Sequence, residues 1–392
     1  MGEFQVGMKL YDLDWYLRYG LSYQEAAQLL RDWGVTFVLA QNRFLPMPDS
    51  AVISEVRPEQ ARRYVSYDDR RFRDALAQAG IAYWPAVCMF YDPVALEADP
   101  SLRPIGSDGR RMERVDWYEG IAPSMKGFVA DKTAAIEAAV RTLEPEGVFL
   151  SFTRWPGFWE LWTPDRRRQD FPEYSYDRHT LERFVRDTGV NLQTRSAAQA
   201  ATWIEAHARE AWTRWKCQVV VDVIRQVRDA CRQIVPDVQI MLNTLPFGAA
   251  EFDGARERVF GQCIEALGGV VDVFEVMTYH QILKRPTAWI PEAGLEVKER
   301  SGRKTVCTIQ ARPLYLDGIH ARSNRSPTLD EQEFAASVDA VENSDLDGVV
   351  VFVWSDLLEE VLEQNNTKRL DAILAAVERR QARPQQADRG SS

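Results

Sequence analysis

Short apolar runs alternate with longer stretches in which apolar residues return every three or four positions, almost to the end of this 392-residue chain. The short runs predict strands at Val6–Tyr11, Thr36–Ala40, Ala82–Met89, Val148–Thr153, Gln239–Asn243, Val271–Met277, Thr305–Gln310 and Gly348–Trp354. Several are nearly continuous in apolar side chains, the pattern of parallel strands covered on both faces. The longer stretches predict amphipathic helices at Tyr23–Asp32, Glu59–Ala79, Lys132–Leu143, Ala255–Leu267 and Leu329–Glu342. Ser22, Ser66 and Asp131 are expected to cap helices, and Gly34, Gly80 and Gly147, each just ahead of a strand, to close the preceding helix in the left-handed region. The connection from Asp177 to Val235 carries Trp203, Trp212 and Trp215 and is long enough for two or more helices. A last helix is expected over Asp356–Arg379.

Eight successive βα units predict an α/β protein folded as a (β/α)8 TIM barrel, one catalytic domain over residues 1–380 with an extended helical insertion after strand 4. Residues 381–392 form a polar tail too poor in apolar side chains to stay ordered. A doubly wound open sheet is the rival fold, and it wants a glycine-rich first turn. Strand one here ends Leu10-Tyr-Asp-Leu-Asp-Trp15, and no GxGxxG or P-loop occurs at any strand-to-helix junction, so nucleotide chemistry is not expected.

Charge and composition narrow the partners. The net charge is −10 with no basic block, which gives no reason to expect a nucleic acid. The five cysteines are scattered, fitting neither a disulfide framework nor a CxxC metal site. No apolar run reaches the length of a membrane span, so no membrane partner is expected, and self-association stays open. The first strand begins within a few residues of Met1; a cytoplasmic location is expected, or a secreted or periplasmic one if Met1–Phe4 replace a removed leader. The four histidines show no HxH or HExxH spacing and there is no GxSxG elbow, so neither a metal, a cofactor nor a serine nucleophile is predicted. Nothing in the sequence singles out Lys9 as a Schiff-base lysine.

In a barrel of this kind the residues just past each strand share one face. Here they are Asp12, Asp14 and Trp15; Gln41, Asn42 and Arg43; Tyr91 and Asp92; Arg154, Trp155, Phe158, Trp159, Glu160 and Trp162; Asn243; Glu275, Tyr279 and His280; Gln310 and Arg312; and Trp354, Ser355 and Asp356. Carboxylates, amides, arginines and indoles in one place suit a sugar, whose hydroxyls take planar polar partners and whose C–H faces stack on rings. Glu275 lies in an otherwise apolar strand, so its carboxylate either enters the mouth or pairs with a buried cation, for which Arg312 and Arg154 are the candidates.

Gly147-Val-Phe-Leu-Ser-Phe-Thr-Arg-Trp-Pro156, the run Asp272–His280 ending Met-Thr-Tyr-His, and Gly348–Asp356 together resemble a large group of glycoside hydrolases with (β/α)8 barrels, distantly similar to the hydrolase domain of the exopolysaccharide-processing protein PgaB. That resemblance covers the element order of nearly the whole chain but only about thirty residues of motif. It implies an acid at the end of strand four, where this chain has Ser151. The expected activity is hydrolysis of a glycosidic bond in an oligo- or polysaccharide, acidic sugars included, by a pair of carboxylates. Glu275 is expected as one, and Glu160 or Asp12 as the other. Trp15, Trp155, Trp159 and Trp354 would form the sugar platform; Asp14, Arg43, Arg154, Asn243, Tyr279, His280, Gln310, Arg312 and Asp356 would complete the binding set. Two other readings stay open: a carbohydrate-binding barrel without catalysis, and a lyase or isomerase acting on a sugar acid with Tyr279 or His280 as base.

Overall fold

Alternation along each strand sorts side chains between two cores, one inside the sheet and one between the sheet and the helices. The computed structural model describes residues 4–45, 58–193 and 196–382. The strands are β1 (Gln5–Leu10), β2 (Phe37–Ala40), β3 (Ala82–Cys88), β4 (Gly147–Ser151), β5 (Gln239–Thr244), β6 (Val273–Val276), β7 (Lys304–Gln310) and β8 (Gly348–Phe352). All pair in parallel in chain order, and β1 closes on β8 through Val6↔Val349 and Met8↔Val351, giving a closed eight-stranded (β/α)8 barrel. Val6, Met8, Val87, Val148, Leu150 and their equivalents face outward against the helices. Phe37, Leu39, Trp84, Ala86, Phe149, Met241, Val273, Val306 and Val350 fill the interior.

Glycines make room for the large rings at the base of that interior. A Cβ on Gly7 would stand 2.3 Å from the Phe37 ring, and one on Gly147 would stand 2.1 Å from Trp84. Gly147 is therefore a strand residue whose bareness admits an indole; the left-handed residue expected there is Glu144 instead, at φ 45°. Gly34 and Gly80 do take the left-handed conformation.

Helix Tyr23–Asp32 forms with its expected bounds, and Ser22 and Glu25 close a capping box. The expected helix Glu59–Ala79 is two, Pro58–Val65 and Asp69–Gln78, because Tyr67 is buried between them against Trp15, Tyr16 and Tyr23. Asp68 caps the second, while Ser66 bonds back to the Arg63 carbonyl. Asp131 caps nothing: it lies inside Lys126–Leu143. The expected helix Ala255–Leu267 is broken into Ala255–Arg258 and Ile264–Leu267 around Gly261, at φ 70°, where any Cβ would meet the Trp155 ring at 2.5 Å. Among the described residues three α-helices, Arg178–Thr188, Ala197–His207 and Arg209–Arg232, lie in the connection from β4 to β5. The last expected helix divides into Trp354–Leu358, a wider turn over Glu359–Glu363 and Lys368–Ala382. It thus takes in the first two residues of the expected polar tail, whose remainder lies outside the described residues. Among the described residues no helix is long and apolar enough to cross a membrane.

Candidate active site

The upper interior of the barrel turns polar. Lys9 of β1, Asn243 of β5, Glu275 of β6 and Thr308 of β7 all point inward, and all four are buried. Lys9 Nζ lies 3.0 Å from Glu275 Oε1 and donates to Tyr279 Oη at 3.0 Å. Asn243 Nδ2 and Thr308 Oγ1 also donate to the Glu275 carboxylate. The buried cation beside Glu275 is therefore Lys9, not Arg312 or Arg154, and Lys9 becomes notable only in three dimensions. The rings of Tyr11, Phe149, Tyr279 and Phe352 surround its ammonium at 5.4 to 5.6 Å. Burial lowers the Lys9 pKa, opposed by Glu275.

A second carboxyl lies in the turn Trp159–Leu161 beyond β4. Trp159 stacks on Tyr279 with centroids 6.0 Å apart, and Trp162 stacks on Phe171 at 4.7 Å, which fixes the turn from both ends. Arg325 donates to the Glu160 main-chain carbonyl and, at 2.7 Å, to that of Ile282, tying this turn to the loop after β6. Glu160 is only 6% exposed, and its Oε2 has no hydrogen-bond partner. Burial raises its pKa from 4.5 to about 7, against the pull of Arg154 and Arg325. The groups electrostatically coupled to it, Tyr118, Arg154, Tyr279 and Tyr315, come from the connections after β3, β4, β6 and β7, which puts Glu160 at the C-terminal mouth.

Arg154 is 2% exposed and lies 5.0 Å from the Phe152 ring. Its Nε has no hydrogen-bond partner, and among the described residues no carboxylate comes within ion-pairing distance of it. Phe152 follows Ser151 directly and takes the left-handed conformation at φ 52°, a costly choice for a bulky side chain. Its ring packs against Tyr91, Trp117 and Tyr118. Half-buried Phe152, Trp117 and Tyr315 make one aromatic wall, with Trp117 Nε1 donating to Tyr315 Oη at 2.9 Å. Half-buried Tyr11 and Phe352, in edge contact at 5.8 Å, stand above Lys9. Sequence reading missed these rings. Trp117 and Tyr118 lie in a connection without periodicity, and Phe152 was counted within the strand.

The expected indole platform is corrected. Trp15 is stacked on Phe72 and packed against Trp354, Trp155 packs against the stacked pair Trp212 and Trp215 with Nε1 bonded to the Lys216 carbonyl, and all four indoles, Trp159 included, are at most 1% exposed. These are core residues behind the mouth. His280 is likewise buried, with Nε2 3.0 Å from Glu333 Oε1, and Gln310 bonds to Gln281 and to the main chain of Ile282 and Arg312. Both order loops. The Tyr279 pKa is raised well above its usual value, first by burial, and this phenol is poorly placed to act as a base.

The β1 and β8 ends gather Asp12, Asp14, Arg312, Ser355 and Asp356. Asp12 accepts from Asp14 N at 3.0 Å and from Ser355 Oγ at 2.7 Å, while Asp14 opens helix Asp14–Leu17. Arg312 Nε lies 3.1 Å from Asp356 Oδ1, and burial raises the Asp356 pKa to about 6, with Asp12 adding to the rise. Arg43 is paired with buried Asp69 at 3.3 Å. Ser151 is buried, and its carbonyl accepts from Met89 N at 2.9 Å, so the position expected for an acid carries a hydroxyl instead. Among the described residues one group, Glu257, Cys263 and Glu265, brings three metal-ligating atoms together. It lies in the connection between β5 and β6, and the Arg300 guanidinium already bonds both of its carboxylates.

No family model and no curated protein matches this sequence. Solved structures match the fold throughout. The glycoside hydrolase domain of PgaB (BpsB) from Bordetella bronchiseptica superposes with a TM-score of 0.63 at 12% identity, over 94% of this chain and 98% of that one. The catalytic domain of a β-amylase from Paenibacillus polymyxa gives 0.52 at 12%, over 91% and 93%. A β-galactosidase from G. stearothermophilus gives 0.60 at 10%, over 97% of this chain but 57% of the galactosidase, so the chain spans a little over half of that enzyme. At these identities the likeness is one of fold: a barrel of the kind glycoside hydrolases use.

Proposed function

We propose that this protein is a glycoside hydrolase in which Glu160 is the general acid. The observation that carries this reading is a buried carboxyl with an unbonded oxygen and a pKa near 7, set in an aromatic-walled mouth beside an unpaired arginine. A carboxyl in that state still carries its proton in a substantial fraction of molecules at neutral pH and can pass it to a leaving glycosidic oxygen. Half-buried Trp117, Phe152 and Tyr315 offer ring faces for sugar C–H groups in place of the tryptophans first expected. Glu275 is the second carboxylate, below the substrate, oriented by Lys9, Asn243 and Thr308, and its charge favours the positive charge that builds at the anomeric carbon. Tyr279 is electrostatically coupled to both acids and stands between the two functions.

A non-catalytic sugar-binding barrel is the second reading, favoured by one observation: Glu275 is fully buried and already bonded to three donors. A screen for reducing-end release across glycans and aryl glycosides, with Glu160→Gln and Glu275→Gln beside wild type, separates the two. Loss of release by roughly 10²- to 10⁴-fold in Glu160→Gln, with sugar binding kept, is the expected result for a general acid. Sugar binding by wild type without release from any member would leave the binding reading alone.

A further inference from the structure

We infer that the substrate is anionic and that Arg154 grips a uronate carboxylate in it. This assignment concerns binding, and it rests on the hydrolase reading only for what happens next. Sequence alone places several cations near the mouth, which proves little in an arginine-rich chain. The structure separates them. Lys9 is paired with Glu275, Arg43 with Asp69 and Arg312 with Asp356. Arg325 is consumed by the carbonyls of Glu160, Ile282 and Tyr315 and by His320. Arg154 is left, and it is almost completely buried with an unbonded Nε.

A guanidinium does not escape burial by shedding its proton, as a lysine can. A buried charge without a counter-ion is unfavourable unless something supplies the anion. Phe152 supports the Arg154 guanidinium as a cation–π partner but accepts no N–H hydrogen bond in its plane. Glu160 is near enough to feel the charge yet outside pairing distance, so it does not neutralise it. What fits is a planar anion that can take parallel N–H bonds, and a carboxylate does this in bidentate fashion.

A separate feature points the same way. The loops after β4 and β5, with Arg285 from the one after β6, enclose a groove of about 470 Å³ whose charged lining is Arg166, Arg167, Arg168 and Arg285 against Glu251 and Asp253. Arg285 is taken by Glu251, Arg168 by Glu173 and Arg167 by Asp170. Arg166 lies over the Phe171 ring at 5.9 Å with no acid in pairing distance among the described residues. Unlike Arg154, Arg166 is exposed, so it adds an open cation to this groove rather than a second buried one.

The test is calorimetry on the whole protein with oligogalacturonate, oligomannuronate and hyaluronan oligosaccharides, their carboxyl-reduced counterparts and sulfated neutral oligosaccharides. Binding to a uronate is expected to weaken roughly 10- to 100-fold on carboxyl reduction and in Arg154→Gln, with Arg154→Lys recovering only part because an ammonium lacks the planar fork. The reduced ligands use wild-type protein, so the result stands even if a variant folds poorly. Equal affinity for reduced and native ligand, no uronate binding at all, or preference for the sulfated set would each overturn the assignment. Turnover of neutral aryl glycosides without uronate binding sinks this inference and keeps the hydrolase. Arg154-dependent uronate binding without release from any glycan keeps this inference and sinks the hydrolase.

Discussion

A carboxyl that titrates near neutrality leaves two signatures, and Glu160 should carry both. As an acid it works while protonated, so kcat/KM should fall as pH rises through about 7, and that limb should vanish in Glu160→Gln. Burial sets this value first, with Arg154 and Arg325 pulling it down and Asp116 pushing it up, while the phenols of Tyr118, Tyr279 and Tyr315 feel the Glu160 charge in turn. The stability effect follows from linkage. The folded state holds the Glu160 proton up to about pH 7 while the unfolded chain releases it near 4.5. Nothing is lost below 4.5, and the native state is progressively disfavoured as pH rises between the two values, by on the order of 3 kcal/mol above pH 7. Glu160→Gln should therefore raise the denaturation midpoint at pH 8 and leave it nearly unchanged at pH 4.5; equal shifts at both would mean that the carboxyl is not held neutral. The positions of Arg154 and Glu160 beyond β4 were legible because they follow a recognisable strand end. The indoles misled because a tryptophan that packs a core and one that carries a sugar look alike in sequence, and only the neighbours of Trp15 and Trp155 tell which is meant.

At the scale of elements, all eight strands could be read from pattern because a parallel strand buried on both faces is written in consecutive residues. The misplaced helix breaks were set by residues distant in sequence: Trp155 presses on Gly261, and Tyr67 needs the cluster around Trp15. Helix Arg209–Arg232 is fastened to the loop beyond β4 through Glu173, which bonds Lys216 at 2.8 Å, Arg209 at 2.7 Å, Arg168 at 3.2 Å and Trp212 Nε1 at 3.0 Å. Despite full burial these cations pull the Glu173 pKa down to about 2. Its contribution is present above pH 4.5 and is lost as pH falls toward 2. Lys216→Met weakens that compensation in the interior and should cost about 3–5 kcal/mol by chemical denaturation. Gly147→Ala should cost about 1–3 kcal/mol by forcing Trp84 from its seat. If either change were neutral, the packing read from these contacts would be wrong.

For the molecule as a whole, the Lys9–Glu275 pair joins β1 to β6, which are not neighbours in the closed sheet. No local pattern announces such a contact; Glu275 stood out in its strand, while Lys9 had no visible reason to matter until the barrel closed. The pair could serve closure alone or closure and chemistry together, and a double-mutant cycle distinguishes them. Lys9→Met leaves an uncompensated carboxylate and should destabilise by about 3–5 kcal/mol, whereas Lys9→Met with Glu275→Met should recover most of that loss, because an apolar replacement of a buried ion pair is often neutral. Measured alongside glycan release, the double variant is the informative one. Recovered stability with activity absent would assign Glu275 to the reaction, since the fold would have shown that it does not need the charge. Recovered stability with activity intact would make the pair structural and leave Glu160 to find its partner at the β1 and β8 ends, where Asp12 and the elevated Asp356 already share one corner of the mouth.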